Sequence, residues 1–188
     1  STQALRMCVE HGIGVHWLSM TGYHTASLVP TAGQVQRRIR QYRALTDESL
    51  CLRLTRSLVL AKVEGQVRYL LRASRGNRAA RSTMLRDLAA MRDVLRPIGQ
   101  ATERDSLRGY EGTASVHYFQ ALRAVISEGV PEELRYVTRN RRPPLDRFNA
   151  LLSFGYGLVH SAVMRAVLAT GLEPALGFFH TPRSAAYP

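Results

Sequence analysis

An α+β chain is expected, with a small N-terminal β element, part of a β domain, followed by a mainly α-helical C-terminal domain. Three observations predict it. Two short stretches near the start alternate in polarity across a turn signal. The character of the chain changes after Pro30. From Gly33 onward, apolar residues recur at helical spacing with arginines between them. A domain boundary near Pro30 follows, giving segments 1–30 and 31–188.

The elements run in this order. Residues 4–11 (ALRMCVEH) read as the end of a helix closed by Gly12. Residues 13–19 (IGVHWLS) and 23–29 (YHTASLV), split by Thr21-Gly22, read as a hairpin. Two strands alone are marginal in water, so they are expected to belong to a larger sheet. A basic helix is expected from Gly33 to Ala44. Asp47 is a plausible N-cap for a long helix from Glu48 to Ala73, with Leu50, Leu54, Leu58, Ala61 and Val67 at helical spacings. Ser74 to Asn77 is a break. A third helix is expected over Arg78–Leu95, stopping at Pro97, and a fourth over Glu103–Ile126. A loop rich in proline and arginine spans 129–144. A fifth helix runs from near Asp146 to Gly171, and a loop-like tail follows.

Composition bounds the function. The chain has 188 residues, 45% of them hydrophobic, enough for a sizeable core. No apolar run is read as reaching bilayer length, so no membrane partner is expected. No basic-then-apolar leader opens the chain, and the start at Ser1 reads as the interior of something longer. Cys8 and Cys51 stand far apart with no metal spacing, which suits free thiols in the cytoplasm. The formal charge is +12, and Lys62 is the sole lysine among 26 basic residues. Such a surplus attracts polyanions, and arginine grips phosphate with paired hydrogen bonds. Nucleic acid leads as partner; an acidic protein or an anionic membrane surface would answer to the same charge. The phosphate loop, the dinucleotide fingerprint, the serine elbow and the HExxH zinc pair are all missing, which disfavours NTP, nicotinamide and serine-hydrolase chemistry.

Few residues stand out for chemistry. Glu111 lies in Tyr110-Glu111-Gly112 within the fourth helix, where a glycine lets a ligand or a strand come near; the residues also read as a solvated glutamate beside a packing glycine. His180, after Gly177-Phe178-Phe179, reads as a ligand, a general base or a surface histidine. His117 is six residues past Glu111, which turns it about 120° away on a helix. Asp146 and Glu173 are acidic partners by type only. The run RNRRPP at 139–144 is a basic, proline-stiffened loop leading into a helix, or a solvated charge run.

The order of these pieces is similar to the CRISPR-associated adaptation integrase family. The resemblance rests on Tyr110-Glu111-Gly112, RNRRPP, Asp146, NALLSFGY at 149–156 and Gly177-Phe178-Phe179-His180, with RIRQYRAL, AKVEGQ and EHGIGVHWLS upstream. It implies a metal-dependent DNA endonuclease and integrase that inserts short DNA fragments into a CRISPR array. A 3′-hydroxyl of the fragment would attack a phosphodiester. It implies that Glu111 and His180 are catalytic metal ligands for Mg2+ or Mn2+. The third, acidic ligand would lie beyond Pro188, so that 31–188 is a helical catalytic domain lacking its C-terminal end. Arg139, Arg141, Arg142, Asn149, His160 and Arg183 would bind nucleic acid. Many members carry a tyrosine at the position of His160, whose role is therefore open. The implied partners are double-stranded DNA (prespacer and repeat), a second copy in a homodimer, and a small ferredoxin-like adaptation protein. Some systems add an exonuclease, and an iron–sulfur cluster enters only where that domain is fused upstream. The rival reading is a non-catalytic, arginine-rich DNA-binding scaffold.

Overall fold

A computed structural model of the chain describes residues 1–29, 34–126, 130–131, 134–141 and 143–180. Among the described residues there are one two-stranded sheet and eight helices, the expected α+β class. The boundary expected near Pro30 lies outside the described residues. The chain divides into two compact units, one of residues 1–48 with 151–188, the other of 49–150.

The first unit opens with α1 (Thr2–Glu10), closed by Gly12 at φ 70°. Strands β1 (Val15–Leu18) and β2 (His24–Leu28) pair antiparallel, with Val15 opposite Leu28 and Trp17 opposite Ala26. Gly22 turns the hairpin at φ 81°, a conformation that disfavours side chains. The hairpin rests on α8 (Arg147–Ala169), whose first turn belongs to the other unit. Ser161 Oγ donates to the Gly22 carbonyl at 2.6 Å. At Gly157, an added Cβ would stand 2.8 Å from the Tyr23 ring, so only glycine admits this contact. Helix α2 (Val35–Thr46) is tied to the chain after α8 by a reciprocal amide pair. Gln41 Nε2 donates to the Glu173 carbonyl at 2.9 Å, and the Glu173 N–H donates to Gln41 Oε1 at 2.8 Å.

The second unit is built on α3 (Glu48–Ala73). Its buried residues are Cys51, Thr55, Val59, Val63, Val67 and Leu70. The leucines expected to mark its core face do not: Leu54 is 42% and Leu58 48% exposed. This helix is apolar on more than one side, and the β-branched series one position along is the one that packs. Ser74 Oγ, buried, donates to the Leu70 carbonyl at 2.8 Å and satisfies the helix end. Asn77 then caps the next helix by accepting from the Ala80 N–H at 2.8 Å.

The single helix expected over 78–95 is three: α4 (Arg78–Thr83), α5 (Leu85–Asp93) and α6 (Leu95–Gln100). Met84, fully buried, breaks the first pair at φ −92°, ψ 3°. Pro97 does not stop a helix. It sits in the first turn of α6, where its missing N–H has no intrahelical partner to lose. Helix α7 (Arg104–Ile126) closes the core, in which Leu70, Met84, Leu88 and Met91 pack with Ala121 and Leu122.

One further expectation is corrected. By length and composition alone, α8 is apolar enough to cross a membrane, and 17% of its most apolar stretch is buried. Ser153, Gly155, His160 and Ser161 interrupt the run without lowering its average enough.

Candidate metal and nucleic-acid site

Glu111 lies near the middle of α7, and its side chain is 20% exposed. Its Oε1 accepts from the Lys62 ammonium on α3 and from Ser115 Oγ at 3.1 Å. Ser115 is four residues on, one helical turn, which brings the two side chains together. Gly109 and Gly112 flank Glu111, and an added Cβ at either would meet no atom of the described residues within 4 Å. Among the described residues, then, Gly112 packs against nothing. Lys62 is not among the expected site residues; its sequence signals are being the sole lysine and lying in AKVEGQ.

His117 points away from Glu111, as the helical spacing requires, and meets Asp87 of α5 instead, Nδ1 to Oδ1 at 2.8 Å. That pair fastens α7 to α5.

The basic loop is organised from inside by Asn149, which is 0% exposed. Asn149 Oδ1 accepts from Arg139 Nη1 at 2.8 Å and from the Asn140 N–H at 3.2 Å. Its Nδ2 donates to the Thr138 carbonyl at 2.8 Å and to Asp146 Oδ2 at 2.6 Å. Asn149 is thus a strut of the loop and does not present itself to a ligand, contrary to its expected surface role. Asp146 caps α8, accepting from the Asn149 N–H at 2.7 Å. Burial would raise its carboxyl, but hydrogen bonds from Asn149, Asn140 and the Phe148 amide outweigh this and hold it below its ordinary value.

Arg139 and Arg141, with Arg123 of α7, line a hollow of about 530 Å³ that also touches Ser115, Phe119 and Tyr136. Arg139 is half-buried and bonded to the loop, whereas Arg141 is exposed. Tyr136 is buried, its ring centroid 4.9 Å from that of Phe148 with the two rings tilted at 56°, and its hydroxyl finds no hydrogen-bond partner among the described residues. Burial first, opposed by Arg139 and aided by Asp146, raises its pKa.

In the first unit, His180 is exposed, with its ring 4.4 Å from that of Phe179. His160 is exposed on α8. Arg142 and Arg183 lie outside the described residues. Of the two acidic candidates, Asp146 accepts from the Asn149 N–H in the cap, and Glu173 accepts from the Ala175 N–H at 3.2 Å. Among the described residues no group of three His, Cys, Asp or Glu side chains converges. Glu111 is the donor that fits a hard cation, because its carboxylate oxygen already carries a cationic group.

The profile of the family described as CRISPR associated protein Cas1 matches residues 1–188, the whole chain. The chain belongs to the Cas1 family. Cas1 relatives include a "CRISPR-associated exonuclease Cas4/endonuclease Cas1 fusion" of Myxococcus xanthus, 47% identical over 100% of this chain and 33% of that protein. A fusion of the same description from Leptospira interrogans is 43% identical, over 100% of this chain and 35% of its own length. This chain thus spans about a third of these relatives. Among solved structures, a chain of the partial Cas6-RT-Cas1--Cas2 complex matches with a TM-score of 0.74 at 26% identity, covering 100% of this chain and 55% of that one.

Proposed function

We propose that this chain is the helical catalytic part of a CRISPR adaptation integrase, which joins short double-stranded DNA fragments into the CRISPR array by attack of a 3′-hydroxyl on a phosphodiester. The observation that carries this reading is Glu111, a half-buried carboxylate holding a cationic group beside two glycines against which no described residue packs. Membership of a family whose relatives are described as endonucleases supports it.

Glu111 and His180 would hold a Mg2+ or Mn2+ ion, with a third acidic ligand from beyond Pro188. When bound, the ion supplies Lewis acidity and charge neutralisation at the reacting phosphate. The chain's own residues supply the rest. The tilted Tyr136–Phe148 ring contact and the Asn149 strut hold the arginine loop in one geometry. That loop presents Arg141 to a DNA backbone, with Arg142 and Arg183 as further contacts. No ATP is needed, since one phosphodiester is exchanged for another.

The same reading assigns partners. The protein would work in the cytoplasm as a homodimer with a small ferredoxin-like adaptation protein; the Cas1--Cas2 naming of the matched complex supports an adaptation partner of some kind. An iron–sulfur exonuclease would join where fused, as in the Myxococcus xanthus relative.

The test is Glu111→Ala in the full-length protein with Mn2+. Strand transfer should fall at least a thousandfold while duplex binding stays within about twofold. Joined products at the wild-type rate would leave only an arginine-rich DNA-binding scaffold.

A further inference from the structure

We propose that Lys62 is an internal counter-cation for Glu111, holding the carboxylate in place before a divalent ion arrives and being exchanged out when it does. The inference rests on the metal-site reading above and deepens it. Lys62 projects from α3 and its ammonium bonds Glu111 Oε1, the oxygen that Ser115 Oγ also reaches at 3.1 Å. A divalent ion on that oxygen needs the space the ammonium fills.

The identity of the residue fits the task. Among 26 basic residues Lys62 is the one lysine. A guanidinium presents a planar fork that pairs with both oxygens of a carboxylate and keeps its charge at any pH of interest. An ammonium is a compact point charge on a flexible stem, which bonds one oxygen and swings away at little cost. The Lys62 side chain is 44% exposed, so it has solvent to move into, whereas Glu111 at 20% does not. Half-burial without a cation would leave the carboxylate poorly solvated and free to turn. With Lys62 and Ser115 on it, the side chain is preset in one rotamer, at the cost of competition for its oxygen.

Manganese affinity of the full-length protein, read by electron paramagnetic resonance of free Mn2+, tests this without reference to activity. Lys62→Met should tighten Mn2+ binding about fivefold, the scale of a partly exposed ion pair. Lys62→Arg should weaken it, because the fork releases the carboxylate less readily. Lys62→Gln, which keeps a polar side chain at this half-exposed position, should behave like Lys62→Met and guards against misfolding. Unchanged or weaker binding in both neutral variants, with Glu111→Gln abolishing it, would overturn the role of Lys62 and leave the metal site standing. If Glu111→Gln binds Mn2+ like the wild type, the metal-site reading fails and takes this one with it.

Discussion

Asn149 shows how far a single side chain reaches here. It is fully buried, and its amide closes bonds to Arg139, Asn140, Thr138 and Asp146. Replacement by alanine removes all of these bonds at once and leaves the half-buried Arg139, Asn140 and Asp146 without them. Asn149→Ala should destabilise the protein by about 2–4 kcal/mol in chemical denaturation. Tyr136 is the opposite case. Its hydroxyl is buried with no partner among the described residues, so Tyr136→Phe should leave stability unchanged or raise it by up to about 1 kcal/mol. From sequence these residues were hard to sort. Asn149 was identified through the motif it belongs to, which marks its importance but not whether it points inward. Lys62 was passed over because a lone lysine in a basic chain carries no pattern.

At the scale of elements, spacing served best where one driving force acts alone. The hairpin, the break at Ser74–Asn77 and the span of α3 follow from turn chemistry and periodicity, and all three stand in the structure. Periodicity failed on α3's buried face, since leucines at one register and valines at the next satisfy the same rule, and only the partner helices choose between them. It failed again at 78–100, where the breaks fall at the buried Met84 and at Val94 while Pro97 is accommodated inside the first turn of α6. The hairpin adds a pH dependence. His16 Nδ1 and His24 Nε2 each lie 2.6 Å from Ser27 Oγ. Burial first, then His24 and Arg165, lower the pKa of His16. The unfolded chain therefore takes up this proton before the folded one does. Stability should be constant above pH 6.5, the ordinary value, and fall as pH drops below it. Thermal melts at pH 7.5 and 5.5 should show the loss, and His16→Asn should reduce it.

For the molecule as a whole, the excess of arginine is the property most legible in the sequence and the one with the broadest effect. A +12 chain that contacts DNA through its backbone should lose affinity steeply with salt, by about 0.9 log units per phosphate contact for each tenfold rise. Arg141→Ala, removing an exposed guanidinium, should flatten that slope by about one contact in a fluorescence titration. The proposed ligands Glu111 and His180 are legible only as a family pattern, because they stand far apart in the sequence and no local spacing announces them.

The two-stranded sheet carries one more consequence. Among the described residues each strand pairs on one flank only, so β1 and β2 both keep an outer border of alternating amides and carbonyls with no described ladder mate. Such borders are templates: another extended segment, from this molecule or a neighbour, finds its donors and acceptors already spaced to receive it. Deuterium labelling should find those outward amides exchanging quickly in the isolated chain and slowing wherever a further strand has been added.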